Sequence, residues 1–207
     1  MRSRFRAAGG AGREDADMTQ EEVHGILKET GALLRGHFEL RSGLHSPEFF
    51  QCANLLRFPR KAEALCAALA ALVPQELARE ATTVVSPALG GILVGHEVAR
   101  ALDRKCIFAE KQDGKLVMRR FAIEPGEPCI VAEDVVTRGG RVQETIDIVE
   151  GLGGRVLAAV TLVDRSGGKA SFGAIPHFSL LRMEPVTWEP SACPLCAAGG
   201  KAVHPGS

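Results

Sequence analysis

From Thr19 onward the apolar positions Val23, Ile26 and Leu27, and then Ala32 to Leu34, recur at the three- and four-residue spacing of an amphipathic helix, with Gly36 just past the last of them. Thr19-Gln-Glu-Glu22 has the form of a capping box, in which a hydroxyl and a carboxylate satisfy two orphan amides. Folded structure is therefore expected from about Met18, with a first helix running to about Leu34. Residues 37–40 and 48–51, on either side of Arg41-Ser-Gly43, predict a short hairpin or a pair of extended segments. Pro59 opens a second helix carrying Ala62, Leu65, Cys66, Leu69 and Val73 on one face, and Pro74 stops it.

After residue 81 the rhythm changes. The pattern predicts a strand at 82–85, a Pro/Gly loop, a helix at 92–102, a strand at 105–108, a polar loop, a strand at 129–133, a Gly loop, a helix at 142–152 and a strand at 156–163. The strands are continuously apolar, as required when helices cover both faces of a parallel sheet. This predicts an α/β fold, an open parallel sheet flanked by helices with a small amino-terminal hood element. Such sheets bind ligands at the carboxyl ends of their strands, so the loops after Val85, Phe108, Glu133 and Val163 are the candidate chemistry.

Composition narrows the class. The 207 residues are enough for roughly one domain, here 18–207, preceded by a tail at 1–17 that is expected to be disordered. The segment from Met1 to Gly12 has three arginines and no acid, loosely like a transit leader, but the capping box after Met18 favours a functionally silent tail or a start-site artefact. Twenty-five Lys and Arg balance twenty-five Asp and Glu, which argues against a nucleic-acid-coating protein. The most apolar stretch, residues 81–95, is broken by Ser86, Pro87 and three glycines, so no membrane partner is expected. Cys52, Cys66, Cys106 and Cys129 sit within apolar runs, as free thiols do in a reducing cytoplasm.

The strongest chemical signal is a buried strand ending in Glu133 and Asp134, followed by Val135, Val136 and Thr137 and then Arg138, Gly139, Gly140 and Arg141 at a helix start. Backbone amides at that start, with the helix dipole and the Thr137 hydroxyl, suit a phosphate monoester. The two carboxylates suit sugar hydroxyls, a hydrated cation or developing positive charge. There is no G-x-x-x-x-G-K-[ST], and Gly151-Leu-Gly-Gly154 follows a helix rather than a strand, so neither a P-loop ATPase nor a Rossmann dehydrogenase is supported.

This conjunction resembles the phosphoribosyl-pyrophosphate loop of type I phosphoribosyltransferases, and from about Met18 to the C-terminus the chain resembles the orotate phosphoribosyltransferases. The resemblance implies transfer of a phosphoribosyl group from 5-phosphoribosyl 1-pyrophosphate to orotate in pyrimidine synthesis. It implies Mg²⁺ held mainly by the substrate, and a homodimer whose polar loop acts in trans. By the same resemblance Glu133, Asp134, Lys111 and Lys115 are catalytic. The segment from Glu133 to Arg141, with Leu89 and Gly90 of Ser86-Pro-Ala-Leu-Gly-Gly91, binds the activated sugar, and the second loop often carries a non-proline cis peptide. Thr137, Arg165, Arg41, Phe49 and Phe50 contact orotate, the guanidinium of Arg165 matching its carboxylate. Adjacent strand residues face opposite ways, so at most one of Phe49 and Phe50 should present its side chain. Leu89-Gly90 replaces the Tyr-Lys of some relatives, leaving Lys111, Lys115, Arg119 and Arg120 to supply positive charge. Arg138 and Arg141 also depart from the family pattern.

Cys193-Pro-Leu-Cys196 resembles half a zinc ribbon, read as tail packing with zinc as the alternative; His204 or His177 would complete such a site only through folding. His24, His37, His45 and His96 read as surface or satisfied core residues. Two rival classes stay open: a purine phosphoribosyltransferase, which needs neither Arg41 nor Arg165, and a non-enzymatic regulator that senses the activated sugar.

Overall fold

The computed structural model describes residues 18–40 and 42–204; the tail at 1–17 and Arg41 lie outside the described residues. Helix α1 (Gln20–Glu29) is closed at its start by the expected capping box, Glu22 N donating to Thr19 Oγ1 at 3.2 Å and Thr19 N donating to Glu22 Oε2 at 2.8 Å. It ends five residues before the expected Leu34. Gly31 follows the cap at φ +71°, a left-handed turn that ends the helix and frees the apolar residues after it to form a strand. Strand β1 (Leu33–Glu39) pairs antiparallel with β2 (His45–Phe50) as a two-stranded sheet of its own, so the hairpin expectation holds over a longer span.

Short helix α2 (Ala53–Leu56) leads into α3 (Pro59–Ala71), which Pro59 opens as expected, and α4 (Gln75–Glu80) follows. The alternating part comprises β3 (Thr83–Pro87), α5 (Gly90–Leu102), β4 (Lys105–Gln112), β5 (Lys115–Val117), β6 (Pro128–Val136), α6 (Gly140–Gly151), β7 (Arg155–Asp164) and β8 (His177–Arg182). They form a six-stranded sheet in the order β5-β4-β3-β6-β7-β8, parallel except where β5 turns back on β4. The expected polar loop is thus partly a hairpin, and β8 was not anticipated because His177-Phe-Ser-Leu-Leu-Arg182 has only a brief apolar core.

Successive strand residues feed opposite faces. Val84, Ile130, Ala158 and Val160 pack under α3 and α5, whereas Val85, Val131 and Ala159 pack under α6 through Val142, Ile146 and Val149. Double-sided burial explains why the strands read as unbroken apolar runs. Strand β3 lies between β4 and β6, so the chain reverses its direction of travel across the sheet there, opening a crevice at the carboxyl ends of β3 and β6. After β8 a turn at Pro190–Ala192 and α7 (Pro194–Ala197) carry the tail back to the hairpin, where His45 N donates to Trp188 O at 2.8 Å and Val203 N to His37 O at 2.9 Å.

Candidate active site

Glu133 and Asp134 emerge at the carboxyl end of β6, directly beside the segment that follows β3. A Cβ on Gly90 would lie 2.6 Å from Asp134 Oδ2, and one on Gly91 would lie 2.9 Å from Glu133 Oε1, so only glycine permits this approach. The peptide between Ala88 and Leu89 is cis, as the resemblance implied, and Leu89 is exposed. Glu133 is buried, 6% exposed, and its Oε1 accepts from Asp134 N at 3.0 Å; Asp134 Oδ1 accepts from Val135 N at 2.8 Å.

Burial raises the pKa of Glu133 well above the ordinary carboxylate value, and the neighbouring Asp134 charge adds to the rise. Burial raises Asp134 too, partly offset by hydrogen bonds from Glu133 and the backbone. Two carboxylates held together in a desolvated crevice suit a site built to meet positive charge. The ligand-free fold carries the cost. A raised Glu133 binds its proton more tightly folded than unfolded, so its contribution to stability is fully present below the unfolded value near 4.5 and is lost as pH rises through the folded value. We expect Glu133→Gln, whose amide oxygen can still accept from Asp134 N, to raise Tm near neutral pH by about 2–4 °C, or about 1 kcal/mol. It should also flatten the fall in Tm with rising pH. Calorimetry across pH checks this, and a lower Tm for the variant would contradict the desolvation argument.

Beyond Val136 the chain turns through Thr137 and Arg138 to Gly139, at φ +84°, and enters α6 at Gly140. The first-turn amides of this helix have no side-chain cap. Arg141 is turned to Glu144 at 3.1 Å, an exposed pair. Beside this turn, β7 ends in Asp164, in register with Val136 and fully buried, accepting from Ser166 N and Oγ at 2.7 and 2.6 Å, which fixes the turn that presents Arg165. Arg165 lies over the Phe50 ring at 5.5 Å, its Nε is buried without a hydrogen-bond partner, and burial lowers its pKa from the ordinary guanidinium value. An orphaned guanidinium donor over an aromatic face is suited to a planar anion.

One cavity of about 630 Å³ gathers these groups: Asp134, Val135, Thr137 and Arg138 together with Arg165, Phe49, Phe50 and Cys52. Phe50 is buried in the core and Phe49 is half-buried, its ring 5.8 Å from that of Phe38. Both residues border the cavity. Glu133, Val136, Gly139, Gly140, Arg141, Leu89 and Gly90 are not among the residues lining it; Glu133 and Gly90 stand behind Asp134. Lys111 and Lys115 are exposed on the β4–β5 hairpin and do not line it either. Arg120 is engaged by Glu110 at 2.7 Å. The sequence did not single out Gln51, Cys52, Pro185, Thr187 or His204 as pocket residues. The first two directly follow the paired phenylalanines, which is a usable signal, whereas the others come from the motif-poor segment after β8.

The fold and this crevice define a phosphoribosyl transferase domain, and a family model of that description matches residues 55–171. The orotate phosphoribosyltransferase of Acidithiobacillus ferrooxidans is 48% identical over 191 residues, covering 92% of this chain and 98% of its own length. That of Desulforamulus reducens is 46% identical over the same share of this chain. The crystal structure of orotate phosphoribosyltransferase from Aeropyrum pernix, 24% identical, superposes with a TM-score of 0.62 over 77% of this chain and 93% of that one, a likeness of fold. The chain belongs to the orotate phosphoribosyltransferase family.

Proposed function

We propose that the protein joins orotate to the ribose of 5-phosphoribosyl 1-pyrophosphate, giving orotidine 5′-phosphate and pyrophosphate. The observation that carries this reading is the convergence, on one cavity, of Asp134 and Thr137 with the Arg165 guanidinium over Phe50. The first two offer what an activated sugar phosphate needs, and the guanidinium what a planar carboxylate needs. The amides at the start of α6 and the Thr137 hydroxyl hold the 5′-phosphate. Asp134, with Glu133 behind it, accepts from the ribose hydroxyls and favours the positive charge that grows on the ring as the bond at C1 to pyrophosphate lengthens. Arg165 holds the orotate carboxylate and so aims the ring nitrogen at C1, while the hairpin wall excludes water that would otherwise hydrolyse the sugar.

The paired hard oxygens of Glu133 and Asp134, with no space for a side chain at Gly90, fit a hydrated Mg²⁺ held mainly by substrate oxygens. When bound, that ion supplies charge neutralisation to the departing pyrophosphate. Since Lys111 and Lys115 stand outside this chain's own cavity, the reading gives them to the active site of a second copy, in a two-fold dimer. Mixing inactive Lys111→Ala with inactive Asp134→Asn protein should then restore roughly a quarter of wild-type activity by random reassortment. No recovery after verified subunit exchange would place the lysines in cis or out of the reaction. Six free cysteines support a cytoplasmic setting. The direct test is the change in orotate ultraviolet absorbance on adding 5-phosphoribosyl 1-pyrophosphate and Mg²⁺. Absence of change, or turnover of adenine instead, overturns the reading.

A further inference from the structure

The tail and the hairpin meet at a cluster that the proposed reaction does not use. His37 of β1, His45 of β2, and Cys193 and Cys196 on either side of the α7 start bring one ligand atom each to within 4.8 Å of one another. His37 Nε2 lies 2.9 Å from His45 Nδ1, 3.4 Å from Cys193 Sγ and 3.6 Å from Cys196 Sγ, and Cys196 Sγ lies 3.3 Å from His45 Nδ1. This corrects two expectations. His204 and His177 are not the histidines beside the cysteines: His204 borders the cavity and His177 pairs with Thr161 Oγ1 at 3.0 Å. His37 and His45 are not merely satisfied core or surface residues.

We propose that these four side chains form a structural zinc site clipping the tail to the hairpin. Zinc sits about 2.3 Å from thiolate sulfur and about 2.0–2.1 Å from imidazole nitrogen, so a tetrahedron of two of each has edges of about 3.3–3.8 Å. Three of the sulfur–nitrogen contacts here fall at 3.3 to 3.6 Å, with the two nitrogens somewhat closer and all four atoms within 4.8 Å. Hydrogen bonding is a poor account of the same atoms. The His37–His45 contact accommodates one hydrogen between its two nitrogens, and both thiols then compete for those same nitrogens. A soft-to-borderline divalent cation satisfies all four at once, and the two-sulfur, two-nitrogen set favours zinc over magnesium or calcium. With all four positions supplied by protein, and Cys193 and His45 buried, the site is closed and structural.

The surrounding backbone supports a clip. The tail is hydrogen-bonded to the hairpin on both sides of the cluster, through Trp188 with His45 and through Val203 with His37 and Glu39. The ligands come from both strands and from the excursion between those two anchor points. Zinc would tie a two-stranded sheet, marginal alone, to the segment that closes over it.

The full chain, purified from zinc-replete cells without chelator, should carry one zinc per chain by elemental analysis. Cobalt(II) exchanged into it should give the intense visible bands of a tetrahedral site and a thiolate charge-transfer band. A Cys193→Ser/Cys196→Ser variant should lose both metal and bands. Because that variant could misfold, the wild-type protein is also stripped with a strong chelator and melted: Tm should fall and return on adding zinc but not magnesium. Well under one zinc per chain with no cobalt bands overturns the proposal. So does a Cys193–Cys196 disulfide in the purified protein, or a Tm indifferent to stripping. None of these measurements reads turnover, so they stand apart from the assignment of the reaction.

Discussion

Asp134→Asn should lower kcat about 10²- to 10³-fold, the usual cost of deleting one charge preorganised for a transition state, while the protein melts no lower than wild type. The two halves of this result have one cause. The carboxylate sits in a desolvated crevice that raises its pKa, so the ligand-free fold gains nothing from the charge. The amide is isosteric, and its oxygen can still accept from Val135 N. What it cannot do is meet the positive charge on the ribose ring. Steady-state kinetics beside a thermal melt decide the matter: unchanged kcat removes Asp134 from the chemistry, and a lost melt would make its role structural.

Arg165→Ala should raise the KM for orotate by about 30- to 1,000-fold, which is the ~2–4 kcal/mol typical of truncating one partner of a desolvated, hydrogen-bonded charge pair. The KM for the activated sugar should move far less, because the Arg165 guanidinium lies over the Phe50 ring of the hairpin, where the proposed reading seats orotate. Arg165→Lys should recover little. A lysine keeps the charge but lacks the fork of paired donors and the flat face now resting on Phe50. An equal rise for both substrates would take Arg165 out of the carboxylate site.

The two halves of the protein were not equally legible in its sequence. Strands buried on both faces announce themselves as unbroken apolar runs, so β3, β6 and β7 were found within a few residues of their bounds. The proposed phosphate loop was legible because its residues are close together: acids, threonine and glycines fall within eight successive positions, 133–140, at one strand-to-helix junction. Ala32 to Leu34 misled because three apolar residues fit either a helical stripe or a strand, and a single glycine turn at Gly31 decided between them. The zinc ligands were not legible in pairs. Cys193 and Cys196 stand 156 and 159 residues from His37, with no pattern linking them; only the return of the tail to the hairpin brings them together. Arg165 showed itself only through resemblance, since Asp-Arg at a strand end has no periodic signature.

Strand β2, which carries Phe49 and Phe50, bonds to β1 and not to the main sheet. The aromatic part of the proposed base site is therefore a graft, set against Arg165 and the proposed sugar site of the main sheet. Exchanging residues 33–50 for a hood of other shape would redirect the enzyme toward a different acceptor while leaving the donor half intact, which makes this boundary a natural place to build chimeras of altered specificity.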